Sequence, residues 1–416
     1  MELATIVDYL KLKGSNIPCD SDTFETISID ELKVKAVSDD IDAIVIKSLQ
    51  LNKDDKLPLY IHQYNALRAI AEGKDVLLIS PCGSGKTRVM VNGLTASYLG
   101  LQMRNGENSL ELTAQPLSII CCPLTSIIEG KMQERLGCGM LTMQGKLRMG
   151  LDKKTESECS LPSSIDYLYG HAESFATSLG KEILESNEHR IFLFVADEVG
   201  FNILGPEFRV LTSKVPGSIR VFSPLAPMFC ISATIGKEEQ LKTLNDFGMF
   251  NRDHLVIDYN PIKDFQLLMK YRRPSNQTAF NENGGLGDLL QELYLNEFIE
   301  APEDCSRAIF FCKNEEDIVH IYQYIESKLG DRYQNYKTRP WIQYHSSLGE
   351  QTLTWVQKRM EDTKGEDLKL IISTYKLVMG VNLQNFDLAI FLRYLLIFLV
   401  NPSKSITIGK NSISRQ

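Results

Sequence analysis

The chain has 416 residues, enough for two or three compact domains. Hydrophobic residues make up 43% and charged residues 24%, an ordinary balance for a soluble globular protein. The formal charge of -8 excludes holding nucleic acid by a global positive field and leaves only a local basic surface for that purpose. The longest apolar run, residues 388–400, is shorter than the roughly 20 residues of a membrane helix and contains Arg393, so no membrane role is expected.

Residues 1–56 are acidic, carry short helical patterns and read as an N-terminal extension. From residue 57 short apolar runs alternate with amphipathic stretches. The runs at 75–80, 117–122, 165–170, 191–197 and 228–234 read as strands buried on both faces, with intervals long enough for crossover helices. A polar segment with Pro and Gly, 272–287, breaks the rhythm and starts a linker assigned to 272–303. The alternation resumes in 304–416 with runs at 307–312, 340–345, 368–374 and 386–392. A helix follows the first of them, with Ile318, Val319, Ile321, Tyr322 and Ile325 on one face. The expected fold class is α/β: two tandem blocks, 57–271 and 304–416, each a parallel sheet covered by helices.

The nine cysteines are scattered and contain no CxxC pair, so no zinc is expected. Cys121, Cys122, Cys230 and Cys312 lie in apolar runs and read as reduced core residues. His171 and His345 have no evident partner in the sequence and are assigned packing or surface roles.

The stretch LLISPCGSGKTRVMVNGL, residues 77–94, carries the first chemistry. Gly83, Ser84 and Gly85 form a turn whose backbone N–H groups can converge on phosphate oxygens. The helix that follows presents its positive end there. Lys86 supplies a point charge for β- and γ-phosphates, and the Thr87 hydroxyl suits Mg²⁺. Ser80 stands where the strict pattern has its first Gly. Cys82 is either a small tolerated replacement or an oxidisable thiol within the loop. A second carboxylate is needed to hold Mg²⁺, and the buried run at 191–197 ends in Asp197-Glu198: Asp197 for the metal's water shell, Glu198 to polarise an attacking water.

With these residues in place the chain resembles the superfamily-two helicases and, within them, the RecQ-like DNA helicases, from about residue 57 to 392. Gln63 in LPLYIHQYNALRAI stands in the place of the adenine-reading Gln. SPCGSGKT is similar to motif I. CCPLTSIIEGKMQ resembles a segment near the DNA track, with Pro123, Leu124 and Ser126 matching, and YGHAESFAT resembles another, with Glu173 matching. ADEVGFNILGPEFR resembles the DEAH box and the aromatic-rich loop after it. ISATIGKE is similar to motif III, where Ser232, Ala233 and Thr234 would couple nucleotide state to domain closure. In the second block LIISTYKLVMGVNLQNFDLAI is similar to motif V, with Thr374, Met379, Gly380 and Asn382 matching.

The resemblance implies two tandem RecA-like domains, ATP and Mg²⁺ as cofactors, and single-stranded and duplex DNA as partners. It also implies 3′-to-5′ unwinding in DNA repair and recombination, and a nuclear location. Nucleic-acid contacts would come from Pro123, Ser126, Glu173, Phe208, Arg209 and Thr374. Domain closure on ATP would move one grip past the other, and backbone amides and hydroxyls suffice for a net-negative protein to hold a strand.

The chain departs from the family at three places. Val199-Gly200 replace the end of the DEAH box, so its His is missing. The following loop keeps Phe201, Phe208 and Arg209 without a Trp, and Phe208-Arg209 read equally as a functional pair or as a core Phe beside a surface Arg. Motif VI is not found before Gln416, and residues 394–400 look like an insertion, so the second domain is expected to be C-terminally truncated. An arginine finger contributes about 10³ to 10⁵ in rate, so weak hydrolysis is the expectation. Two rival readings are a DEAD-box-like RNA helicase and a non-catalytic, ATP-modulated nucleic-acid-binding protein.

Overall fold

The computed structural model describes residues 14–18, 25–54, 56–81, 84–107, 115–123, 128, 138–142, 146–149, 155–156, 161–200, 215–233, 235–259, 268–271, 294–312, 314–345, 347–361, 367–374, 388–391 and 396–399. They fall into two compact units, Met1–Lys263 and Asp264–Gln416.

The first unit is built on a ten-stranded sheet. In chain order its strands are β1 (Gly14–Pro18), β4 (Asp75–Ile79), β5 (Leu117–Cys121), β6 (Cys138–Leu141), β7 (Leu147–Met149), β8 (Thr155–Glu156), β9 (Tyr167–Gly170), β10 (Ile191–Ala196), β11 (Met228–Ser232) and β12 (His254–Asp258). Two short strands, β2 (Thr26–Ile27) and β3 (Leu59–Tyr60), pair antiparallel apart from it. The spatial order is β1-β12-β4-β11-β10-β5-β9-β6-β7-β8. Pairing is parallel from β1 to β6 and antiparallel from β6 to β8. The central strands are continuous apolar runs because both faces are covered: every residue of β4, β5, β9 and β11 is buried.

One cover layer contains α1 (Ile29–Ala36), α2 (Asp40–Leu51), α3 (Ile61–Ala71) and α4 (Lys86–Arg104). Helix α4 packs against α3 so closely that a Cβ on Gly100 would lie 1.9 Å from the Ala71 carbonyl oxygen. The acidic N-terminal segment is bonded into this layer. Asp42, 2% exposed, accepts from Tyr64 Oη at 2.8 Å and from Arg68 at 2.5 Å. Arg68 also donates to Asp39 at 2.8 Å, and that bond holds the Asp39 carboxyl below its ordinary range. At the amino-terminal edge of the sheet Asp75, fully buried, accepts from the Met228 N–H at 2.9 Å and pairs with Arg220.

The second unit has a six-stranded sheet of β13 (Leu268–Tyr271), β14 (Ala308–Cys312), β15 (Trp341–Tyr344), β16 (Leu370–Thr374), β17 (Leu388–Phe391) and β18 (Leu396–Leu399). Their order is β13-β18-β17-β14-β16-β15. The four strands from β15 to β17 pair in parallel, and β18 and β13 extend the sheet antiparallel. Helices α5 (Glu315–Leu329) and α6 (Glu350–Glu361) pack on it. Ile318, Ile321 and Ile325 enter the core, but Val319 is 38% exposed, since one residue further along a helix turns by about 100°. The run at 394–400, read from the sequence as an insertion, supplies β18 to the sheet.

The fold is thus the parallel-sheet α/β architecture expected from the sequence. The linker residues 272–293 lie outside the described residues. No helix among the described residues is long and apolar enough to cross a membrane.

Candidate nucleotide site

Three adjacent strands, β4, β11 and β10, end on the same edge of the first sheet, the carboxyl edge where open parallel sheets bind ligands. The phosphate-loop residues follow β4, Ser232 closes β11, and Asp197-Glu198 follow β10. Two strand spacings separate the loop strand from the acidic pair, about 10 Å, a span that a triphosphate with its metal fills. The edge is laced across. The Ser80 N–H donates to the Ser232 carbonyl at 3.0 Å, and the Asp197 N–H to the Cys121 carbonyl at 2.9 Å.

The loop is closed by its own residues. Lys86 Nζ donates to the carbonyls of Ser80 at 2.8 Å and Pro81 at 3.0 Å, and the Ser80 and Ser84 hydroxyls share a hydrogen bond of 2.8 Å. Gly85 caps α4 in the left-handed region at φ 80°, and a Cβ there would stand 2.2 Å from Gln63 Nε2. Only glycine permits both that backbone and that approach. Thr87 is exposed in the first turn of α4.

Gln63 is buried at the start of α3. Its Oε1 accepts from the Tyr60 N–H at 3.1 Å, and its Nε2 donates to the Ser84 carbonyl at 3.0 Å and more weakly to Gly85 at 3.4 Å. Reading a base with this amide therefore means exchanging these partners for the base edge. His62, which the sequence reading passed over, is 1% exposed and stacks with Tyr259, centroids 4.1 Å apart, and with Tyr60, at 5.6 Å. Burial drives its pKa down to about 4, against a raising contribution from its bond to Ser84, so the ring is neutral at pH 7. Its Nε2 is then the donor to the Ser84 carbonyl at 3.0 Å, and its buried Nδ1 has no partner among the described residues.

Asp197 is 6% exposed, with the Cys122 thiol donating at 3.9 Å. Glu198 is partly exposed and held at φ 52°, a left-handed conformation that costs a non-glycine residue about 1–2 kcal/mol. Strand β9 joins the same edge, where the buried His171 bonds the Cys122 carbonyl through Nδ1 at 3.0 Å. Glu173 is partly buried in the short helix just beyond, and Pro123 is buried after β5. Ala233 follows Ser232 at the end of β11 and is half-buried.

In the second unit Thr374 ends β16 and is half-buried, and His345 Nδ1 lies 3.6 Å from Glu315. Cys82, Gly83, Ser126, Phe208, Arg209, Thr234 and Gly380 lie outside the described residues. The described cysteines are buried. Burial pushes the Cys121 and Cys305 thiols up to about 12, so they behave as apolar side chains.

The donor set suits Mg²⁺: a carboxylate at Asp197 and a hydroxyl at Thr87 are hard oxygen ligands. Mg²⁺ keeps several waters and shares the substrate's phosphates, so it needs no larger protein cage. Among the described residues no group of three or more His, Cys, Asp or Glu could hold a metal alone.

Residues 60–242 match the family described as DEAD/DEAH box helicase, and the matched stretch contains Gln63, the loop, Asp197-Glu198 and Ser232. The fold is similar to that of the DEAD-box helicase Mss116 bound to ssRNA and UDP-BeF, at TM-score 0.57 and 13% identity, covering 91% of this chain and 71% of that one. It is similar to the DUF1998 helicase MrfA bound to DNA and AMPPNP, at TM-score 0.55 and 14% identity, covering 94% of this chain and 51% of that one. It is also similar to Mycobacterium smegmatis helicase Lhr bound to ssDNA and AMP-PNP, at TM-score 0.53 and 17% identity, covering 79% and 41%. The chain thus spans about half of MrfA and less of Lhr. A search of curated proteins finds no match.

Proposed function

We propose that this chain is an ATP-dependent nucleic-acid helicase of RecQ-like type, stepping 3′ to 5′ on single-stranded DNA and separating duplex, with a nuclear role in DNA repair and recombination. The observation that carries the reading is the adjacency of three strand ends, which groups Lys86, Ser232 and Asp197 on one sheet edge beside Gln63. Lys86 would leave the Ser80 and Pro81 carbonyls to meet phosphate oxygens, and the first-turn N–H groups of α4 would add to that cradle. Thr87 and Asp197 would hold Mg²⁺, which when bound neutralises charge on the phosphates. Glu198 would orient the attacking water, and its strained backbone accords with a functional position. Ser232, hydrogen-bonded through its carbonyl to Ser80, would report the state of the loop to the strand track. The DNA assignment rests on the motif order in the sequence.

A DEAD-box-like RNA helicase is the second reading, favoured by the family match over residues 60–242. Strand displacement on matched DNA and RNA duplexes with 3′ or 5′ tails separates the two. Unwinding only of 3′-tailed DNA supports the proposal, RNA unwinding supports the second reading, and tight nucleic-acid binding without turnover on either substrate rejects both in favour of a non-catalytic binding protein.

A further inference from the structure

We infer that Arg88 is a positioning residue that sets the register between the base end and the phosphate end of the nucleotide site; the inference rests on the ATP-site reading above. Arg88 lies in the first turn of α4, two residues beyond Lys86. Its Nε donates to Asp54 Oδ2 at 2.8 Å, its Nη1 to the Pro58 carbonyl at 2.7 Å, and its Nη2 to the carbonyls of Leu57 at 2.9 Å and Asp54 at 3.0 Å. One turn later Asn92, fully buried, donates to the same Asp54 oxygen at 2.7 Å. Asp54, Leu57 and Pro58 lead into β3 and then the first turn of α3, which carries Gln63.

Electrostatics makes this placement unusual. The first turn of α4 holds two cations, Lys86 and Arg88, and no acid, where the helix dipole disfavours positive charge. For Lys86 a phosphate explains the cost. For Arg88 the compensation is Asp54, with side chains 17% and 30% exposed. The guanidinium fork spends its donors on three carbonyls and one carboxylate of a single segment, a geometry that a point-charge ammonium cannot reproduce. Besides the packing of α4 on α3 and the His62 bond to Ser84, two rungs join the segment bearing Gln63 to the loop and helix bearing Lys86. One is Gln63 on the Ser84 carbonyl, which a bound base would release; the other is Arg88, with Asn92, on Asp54, Leu57 and Pro58, which it would not. The second rung keeps the amide at the right distance from the phosphates when the first opens.

The test uses the full chain with Mg²⁺, measuring binding of fluorescent ribose-labelled ATP and GTP and competition by tripolyphosphate, for wild type, Arg88→Lys and Asp54→Asn, alongside thermal melting. The expected result is a loss of about fivefold or more in preference for ATP over GTP, the size of one or two misplaced hydrogen bonds, with tripolyphosphate affinity unchanged within about twofold. An unchanged preference in folded variants overturns the inference, as does tripolyphosphate affinity falling in step with that of ATP, or a wild type that does not prefer ATP. If Arg88→Lys melts below the assay temperature, Asp54→Asn alone decides. A wild type that binds neither nucleotide removes the ATP-site reading itself, a result distinct from the others.

Discussion

The Ser80 amide donates to the Ser232 carbonyl at 3.0 Å, so the last hydrogen bond between β4 and β11 already belongs to the phosphate loop. The base of the loop is therefore part of the sheet ladder and not a free turn. Native-state hydrogen exchange should show the Ser80 amide protected to the same degree as interior amides of β4, with protection maintained without nucleotide. Exchange at the rate of an open loop would mean that this tie does not hold in solution.

Gly85 sits at φ 80°, with Gln63 Nε2 only 2.2 Å from where a Cβ would stand. Gly85→Ala is expected to cost about 1–2 kcal/mol for the backbone alone, seen as a fall in Tm. It should also displace Gln63 and weaken ATP more than tripolyphosphate. A variant with unchanged Tm and ATP affinity would show that the loop takes another path.

Glu198 holds a left-handed backbone beside Asp197, the carboxylate proposed to hold Mg²⁺. Glu198→Gly relieves about 1–2 kcal/mol of strain and loses part of that to the entropy of glycine, for a net gain of up to about 1 kcal/mol. Removing the group proposed to orient water should at the same time depress ATP turnover. Denaturant melts paired with an ATPase assay test this; a clear loss of stability would contradict the strain argument.

His62 has a folded pKa of about 4 against an ordinary 6.5, with burial the main cause. The unfolded chain therefore binds the proton more readily. The stabilisation is fully present above pH 6.5 and is lost as pH falls toward 4, by at most about 3 kcal/mol. Between pH 6.5 and 5, above most carboxylate titrations, wild-type stability should decline, and in His62→Gln the slope should flatten. Equal slopes would remove His62 as the titrating group.

The central strands could be read directly because burial on both faces leaves an uninterrupted apolar run: the run at 75–80 became Asp75–Ile79 and that at 228–234 became Met228–Ser232. The edges could not. Gly14–Pro18 has no apolar run, and its pairing with β12 depends on the neighbour and not on its own pattern. The antiparallel strands β7 and β8 are too short to carry periodicity. At the site, residue types announced Gln63, Lys86 and Asp197, but the Gln63 amide and the Lys86 ammonium donate to main-chain carbonyls, which residue identity does not encode. His62 and the Arg88–Asp54 bond escaped as well: one rests on ring stacking across 197 positions of chain to Tyr259, the other on carbonyls of a loop.

The central claim is that Mg²⁺–ATP lies between Lys86 and Asp197, and equilibrium binding of ATP tests it most directly. Wild type should bind ATP with an affinity that rises with Mg²⁺. Lys86→Ala should weaken it about 10- to 100-fold, the worth of a charge-assisted bond to phosphate, and Asp197→Asn should remove most of the Mg²⁺ dependence. Undiminished ATP affinity in folded Lys86→Ala, with the Mg²⁺ dependence intact in Asp197→Asn, would contradict the account.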